Sequence, residues 1–475
     1  MLIYHISAEC YPAAKVGGLA DVVGALPKYL NKIGHDAKVV LPAYDTSYIR
    51  NSTYEEIANG RITFDKFQFD YKILLQKDSP LGFELYLVSV PELFKRPDIY
   101  SYDDDTERYL AFQLAFLDWL TQTQIVPDIV HCHDHHTGLI PFMMANTAQF
   151  GHFKMVPSLL TIHNAQYQGA FELTKSTYLP NFKPEKINLL EWDKLINPLA
   201  SAIKCAWHVT TVSPSYLEEL SYNANGLENL LKNEKPKSTG ILNGIDFDVW
   251  NPGTDPMLQH NYASGNFQSG KASNKKALCE RFNLDYSKPL FTFIGRLVGE
   301  KGADILADLC SMALNYYRNR ISILILGSGE GETEKNLVAL QKLYSENYNV
   351  YIGYNEELAH QIYAGADFLL MPSRVEPCGL NQMYALRYGT IPIVRRTGGL
   401  KDTVIDIGDG GFGICHDQTS VHDVVYSISR AMELFSNQQE FDAARQTAMQ
   451  IDHSWENVAT KYLDTYKSLI TDYEK

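Results

Sequence analysis

Three short stretches place glycines, cations or a carboxylate beside apolar runs. The first is 15-KVGGL-19, where Lys15 precedes Gly17 and Gly18 at the start of an apolar helical run. Glycines at a helix N-terminus expose amide N–H groups that favour an anion, and Lys15 adds charge. The same pair of glycines also suits a plain strand-to-helix turn. The stretch matches neither the nucleoside-triphosphatase loop nor the dinucleotide fingerprint. The second is 294-IGRLVGEKGAD-304, with Arg296 and Lys301 following a buried apolar run. Two cations beside backbone donors suit a diphosphate, since Arg forks onto phosphate oxygens and Lys adds point charge. A surface loop with two solvated cations would read the same way. The third is 371-MPSRVEPCGL-380, where Glu376 precedes a helical segment. It is either a capping glutamate or a carboxylate held near helix N-terminal amides.

The run 131-HCHDHH-136 has the composition of a metal site. A strand places His131 and His133 on one face and Cys132 and Asp134 on the other, so the cluster splits. With no second ligand group at zinc-like spacing, a polar loop at a strand end is the better reading and no metal is expected. The histidine pair is followed, after another apolar run, by His163 and Asn164.

These residues need strands to deliver them. The runs 2–7, 37–44, 84–90, 128–134 and 155–164 are short and apolar, and alternate with amphipathic stretches such as 19–34 and 107–123. That pattern predicts a parallel sheet covered by helices on both faces. It restarts at 290–297, 321–329, 349–354, 367–373 and 391–399, predicting a second doubly wound unit. The expected organisation is therefore an α/β chain of two Rossmann-like domains facing a central cleft. The N-terminal domain spans 1–240 and the second 241–455, with a helix over 456–475 packing back on the first. Ligands of such sheets bind beyond the carboxyl ends of strands, which is where the singled-out residues fall.

Composition narrows the partners. With 42 Lys and Arg against 56 Asp and Glu, the net charge is -14, which disfavours nucleic acid and anionic membranes. The seven cysteines include no C-x-x-C, which argues for a reducing compartment. The chain opens on strand-like 1-MLIYHIS-7 with no leader pattern and no apolar run of membrane length, so a cytoplasmic protein is expected.

Across its whole length the chain resembles bacterial glycogen synthase and plant starch synthase, retaining glycosyltransferases of the GT-B fold. The resemblance rests on 15-KVGGLADVVGALPKYL-30, 38-KVVLPAY-44, 94-FKRPDIY-100, 161-TIHNAQYQG-169, 210-TTVSPSY-216, 240-GILNGIDFDVWNP-252, 295-GRLVGEKG-302 and the segment 373–404, in that order. It implies transfer of glucose from ADP-glucose, or UDP-glucose, to the non-reducing end of an α-1,4-glucan such as glycogen. Lys15, Gly17 and Gly18 would then hold the distal phosphate and the transferred glucose, and Arg296 and Lys301 the leaving diphosphate. His163 and Asn164 would contact the glucosyl unit, with Asp134 lining the same pocket. Glu376 would bind sugar hydroxyls, supported by the amides of Cys378, Gly379 and Leu380. Tyr354 would lie beside the base, Thr397 would reach the distal phosphate, and Asn243 would sit at the hinge end of the cleft. No cofactor is implied. One departure stands out: many relatives carry tryptophan where this chain has His135. The other large retaining GT-B group typically has a second glutamate eight residues after the first, whereas here that position is Tyr384. A phosphorylase would need a pyridoxal-lysine motif, which is absent. A glucan-binding protein would have no use for a diphosphate site, and a zinc hydrolase would have to be built on 131–136.

Overall fold

The computed structural model describes residues 1–473. It forms two compact units, Met1–Leu242 together with the C-terminal helix, and Asn243–Ser454.

The first unit carries strands β1 (Leu2–Ile6), β2 (Asp36–Pro42), β3 (Tyr54–Phe64), β4 (Phe67–Gln76), β5 (Glu84–Ser89), β6 (Ile129–His133), β7 (Ser158–Ile162), β8 (Phe171–Glu172), β9 (Glu191–Trp192), β10 (Leu195–Ile196), β11 (His208–Thr211) and β12 (Ser238–Gly240). Nine of them form one sheet in the order β12-β11-β7-β6-β1-β2-β5-β4-β3, and β8-β10-β9 form a small second sheet. From β12 to β5 the pairing is parallel. The expectation of a purely parallel sheet is corrected at the other edge, where β3 and β4 add an antiparallel hairpin to β5. The hairpin strands alternate exposed and covered residues. They therefore lack the continuous apolar runs that mark strands buried on both faces.

Helix α1 (Gly18–Lys32) connects β1 to β2 and buries Leu19, Val22, Val23, Leu26, Tyr29 and Leu30, a stripe at helical spacing. The C-terminal helix, Trp455–Tyr473, lays Tyr462, Leu463 and Tyr466 against α1 and against Ile3 and Ile129 of the sheet. Burying each such large apolar side chain contributes about 1.5–3 kcal/mol.

The second unit has one all-parallel sheet of β13 (Leu290–Leu297), β14 (Ser322–Gly329), β15 (Tyr348–Ile352), β16 (Phe368–Met371), β17 (Ile391–Arg395) and β18 (Ile414–His416). Its order is β15-β14-β13-β16-β17-β18. The apolar runs foreseen for this half fall on these strands, and Phe291, Ile323, Ile325, Phe368 and Ile393 form its core. The polar stretch after residue 251 turns helical at Phe267. No helix among the described residues is long and apolar enough to cross a membrane.

Candidate active site

In the first unit, the loop between β1 and α1 is organised by a residue that sequence reasoning missed. Glu9 is 4% exposed. One of its carboxylate oxygens accepts from the amides of Val16 at 2.6 Å and Gly17 at 2.9 Å. The other accepts from the hydroxyl of Tyr100 at 2.7 Å. The Gly17 amide, foreseen for a ligand, is thus already held by a carboxylate of the chain itself.

The glycines of this loop are not there to make the turn. Gly17 has φ -142°, open to any residue, and a Cβ added at Gly17 or Gly18 meets no atom within 4 Å. The turn explanation therefore fails: neither the backbone nor internal packing demands glycine. The space beside both glycines is open. Lys15 stands at the edge of this open space, its ammonium 2.6 Å from Asp21 of α1 and its side chain 40% exposed.

Beyond β6 and β7 lies the second cluster. His131 and His133 are buried within β6 itself, not on a polar loop, and they share one sheet face as strand alternation requires. His5 joins them from β1, where it pairs in register with His131. These three histidines could geometrically surround an ion. Five of their six ring nitrogens are engaged in hydrogen bonds, however, to His133, His5, His163, Tyr466 and Thr161. The His131 and His133 rings are stacked at 4.2 Å, an arrangement in which lone pairs do not converge.

Asp134 ends β6 with φ 55° and ψ -172°, a region that costs a side-chain-bearing residue about 1–3 kcal/mol. The strain aims its carboxylate at the amide of His163, which donates at 2.7 Å. Burial pushes the Asp134 carboxyl up to about 7, with the Glu9 charge adding and the amides of His163 and Asn164 opposing. Asn164 folds its side chain onto the amide of Gln166, and the hydroxyl of Tyr216 accepts from the next amide, Ala165. The motif 210-TTVSPSY-216 thus braces the 163–165 turn.

Beside Asp134, a cavity of about 260 Å³ is lined by Asp105, Tyr109, Gln113, His135, His136 and Phe171. Nδ1 of both His135 and His136 is buried there without a hydrogen-bond partner among the described residues. Tyr100, already bonded to Glu9, stacks on His136 at 4.7 Å.

In the second unit Lys301 follows β13 as foreseen, whereas Arg296, expected after the strand, lies within it and pairs with Ser328 of β14. Arg296 is largely exposed and lies 3.3 Å from Glu300. Lys301 sits 2.7 Å from both carboxylate oxygens of Glu376, and Ser373 donates to one of them at 3.1 Å. The capping alternative for Glu376 is overturned, since the next helix begins only at Asn381 and Leu380 precedes it without a side-chain cap. Lys301 and Glu376, expected to hold separate parts of a ligand, form an ion pair with each other here.

Gly398 and Gly399 contrast with the first pair. A Cβ at either would fall 2.1 Å from the carbonyl oxygen of Glu376 or Cys378. These glycines let the start of the 398–403 helix touch the 376–378 backbone, and the Gly399 amide donates to Glu376 O at 3.1 Å. Gly379, at φ 77°, lies in the left-handed region. Gln382 clamps the carbonyls of Cys378 and Gly379 at 3.0 Å. Burial pushes the Cys378 thiol up to about 12, opposed by its hydrogen bond to the Asn243 backbone. Thr397 is buried beneath the same loop, whereas Tyr354 after β15 is 81% exposed. The structure therefore gathers Lys301, Glu376, Cys378, Gly379, Leu380, Thr397 and Asn243 around one loop, with Arg296 beside it.

A model of the starch synthase catalytic domain matches residues 2–233, and one of glycosyl transferases group 1 matches residues 274–446. The chain is 56% identical to a glycogen synthase of Flavobacterium johnsoniae over 99% of both chains. It is 37% identical to one of Geobacillus stearothermophilus over 100% of this chain and 99% of that one. Among solved structures, the catalytic domain of starch synthase IV from Arabidopsis thaliana, bound to ADP and acarbose, superposes with a TM-score of 0.88 at 31% identity and 99% coverage of both chains. A sucrose-phosphate synthase from Thermosynechococcus elongatus shares the fold at TM-score 0.63, 18% identity and 99% coverage of both.

Proposed function

The chain belongs to the glycogen synthase and starch synthase family of GT-B glycosyltransferases, and we propose that it transfers glucose from ADP-glucose to the non-reducing end of an α-1,4-glucan with retention. The observation that carries this reading is the Lys301–Glu376 pair at the carboxyl end of the second sheet, with Arg296 beside it. A protein that only bound glucan would need no cations poised for a diphosphate. The ADP and acarbose held by the Arabidopsis relative support the choice of donor and acceptor.

Arg296 and Lys301 neutralise the leaving diphosphate, which serves in place of a metal, so no cofactor is required. Once a phosphate draws Lys301 away, the Glu376 carboxylate accepts from sugar hydroxyls. The amides of Cys378, Gly379 and Leu380 and the hydroxyl of Thr397 hold the remaining oxygens. Asn243 closes one end of the pocket and Tyr354 lies along the base. Lys15 and the open face of Gly17 and Gly18 take the distal phosphate, while His163, Asn164 and Asp134 surround the glucosyl carbon. The acceptor 4-hydroxyl attacks on the face the diphosphate leaves, and a departing phosphate oxygen takes its proton. The protein acts in the cytoplasm.

Incubation with glycogen and each sugar nucleotide in turn tests the proposal. Glycogen-dependent release of ADP from ADP-glucose supports it. Faster release of UDP from UDP-glucose reassigns the donor, and release of neither sinks the reading.

A further inference from the structure

Three buried imidazoles run in a hydrogen-bonded file toward the candidate site. His5 Nδ1 lies 3.2 Å from His133 Nε2, and His133 Nδ1 lies 3.0 Å from His163 Nε2. All three residues are buried, and all belong to the first unit. Burial pushes His5 and His163 down to about 3 and His133 well below the ordinary histidine range. Each ring is therefore neutral at physiological pH and carries one proton.

One proton per ring couples the two bonds. His133 has a single N–H, so it donates in one bond and accepts in the other, and the file points one way throughout. If it points outward, His5 donates from Nδ1, His133 donates from Nδ1, and the proton of His163 sits on its own Nδ1. If it points inward, His163 donates from Nε2, and the proton of His5 ends on Nε2. That atom is buried and has no hydrogen-bond partner among the described residues. An orphaned buried N–H is a rarer and costlier feature than an orphaned lone pair, so the outward sense prevails. His163 Nδ1, for its part, has no protein partner among the described residues and belongs to a ring 8% exposed. It is the atom left for a ligand.

We propose that His133, itself oriented by His5, is a positioning residue that fixes the tautomer of His163, so that His163 meets the transferred sugar as an Nδ1–H donor. This rests on the reading that His163 contacts the glucosyl unit. A sugar hydroxyl facing His163 then accepts, and the inward tautomer would present a lone pair in its place.

The test is a long-range proton–nitrogen correlation spectrum of the full chain labelled with ¹⁵N-histidine, with the His163 signals assigned by their loss in His163→Gln. The expected wild-type pattern has the proton on Nδ1 of His163. In His133→Asp, whose carboxylate oxygen stands where Nδ1 was and only accepts, the proton moves to Nε2, and kcat falls about tenfold with KM for the donor little changed. In His133→Asn, whose amide nitrogen stands where Nδ1 was, the proton stays on Nδ1 and kcat returns to within about threefold of wild type. A wild-type His163 protonated on Nε2 overturns the proposal, as does a folded His133→Asp protein whose His163 stays unprotonated on Nε2. If His133→Asp does not fold, the wild-type spectrum decides by itself. Because the spectrum needs no substrate, it separates failure of this inference from failure of the transferase reading.

Discussion

The ammonium of Lys301 bridges both carboxylate oxygens of Glu376 at 2.7 Å, so the two groups with most to offer a sugar diphosphate neutralise each other in the ligand-less chain. Glu376 is 9% exposed at its side chain and Lys301 22%, so little solvent screens either charge. In the proposed reaction a phosphate arriving beside Arg296 would compete for Lys301 and liberate the carboxylate for the sugar, coupling the binding of diphosphate and glucose through one ion pair.

Glu376→Ala should lower kcat by about 10²–10³-fold, the scale seen when a preorganised electrostatic group is removed. Lys301→Met should raise the donor KM as well, because the unpaired carboxylate repels the diphosphate. Steady-state kinetics of both variants, with circular dichroism to confirm folding, check this; near-normal turnover in Glu376→Ala removes that residue from the chemistry.

The two glycine pairs should respond in opposite ways to alanine. At Gly18 a new methyl meets no protein atom within 4 Å, so Gly18→Ala should melt within a degree or two of wild type while its donor KM rises. At Gly399 the methyl lies 2.1 Å from the Cys378 carbonyl oxygen, so Gly399→Ala should lose stability by several degrees before any question of binding arises. Melting curves read alongside KM distinguish a ligand-facing glycine from a packing glycine.

This contrast also marks how far the sequence could be read. The spacing of cations, glycines and carboxylate pointed to a phosphate site, and strand alternation put His131 and His133 on one face. Nothing in 15-KVGGL-19, however, told whether its glycines served the fold or a ligand, because the answer lies in what surrounds the added Cβ. Glu9 was not legible because its partners are two backbone amides and a tyrosine 91 residues away. His5 was missed for a related reason: only the β1–β6 register sets it beside His131. The β3–β4 hairpin escaped because its half-exposed strands carry no continuous apolar run.

Asp134 should give the protein a pH-dependent stability of unusual sign for a carboxylate. Its ordinary value of 3.8 is raised to about 7 in the fold. Between these values the native state keeps a proton that the unfolded state has lost. Its contribution is fully present below the unfolded value and is lost as pH rises through about 7, with a slope of up to ~1.4 kcal/mol per pH unit. Asp134→Asn should flatten the dependence of Tm on pH over that window and melt higher than wild type at pH 8. Denaturation at a series of pH values measures both effects, and an unchanged slope in Asp134→Asn would show that another group titrates.

Glu9 offers the last test, because its carboxylate occupies amides at the start of α1, where the proposed reaction would place a phosphate. Glu9→Ala leaves the Val16 and Gly17 amides and the Tyr100 hydroxyl without their acceptor, at a cost of about 1–3 kcal/mol. The variant should therefore melt several degrees lower and show a raised donor KM. It should also gain something wild type lacks. With the internal carboxylate gone, an external anion fits the vacated amides at the N-terminus of α1, where the helix dipole favours it. Added sulfate should raise the Tm of Glu9→Ala more steeply than that of wild type, and ADP-glucose should compete with that gain. Equal sulfate dependence in the two proteins would mean that Glu9 merely packs the loop and does not stand in for an anion.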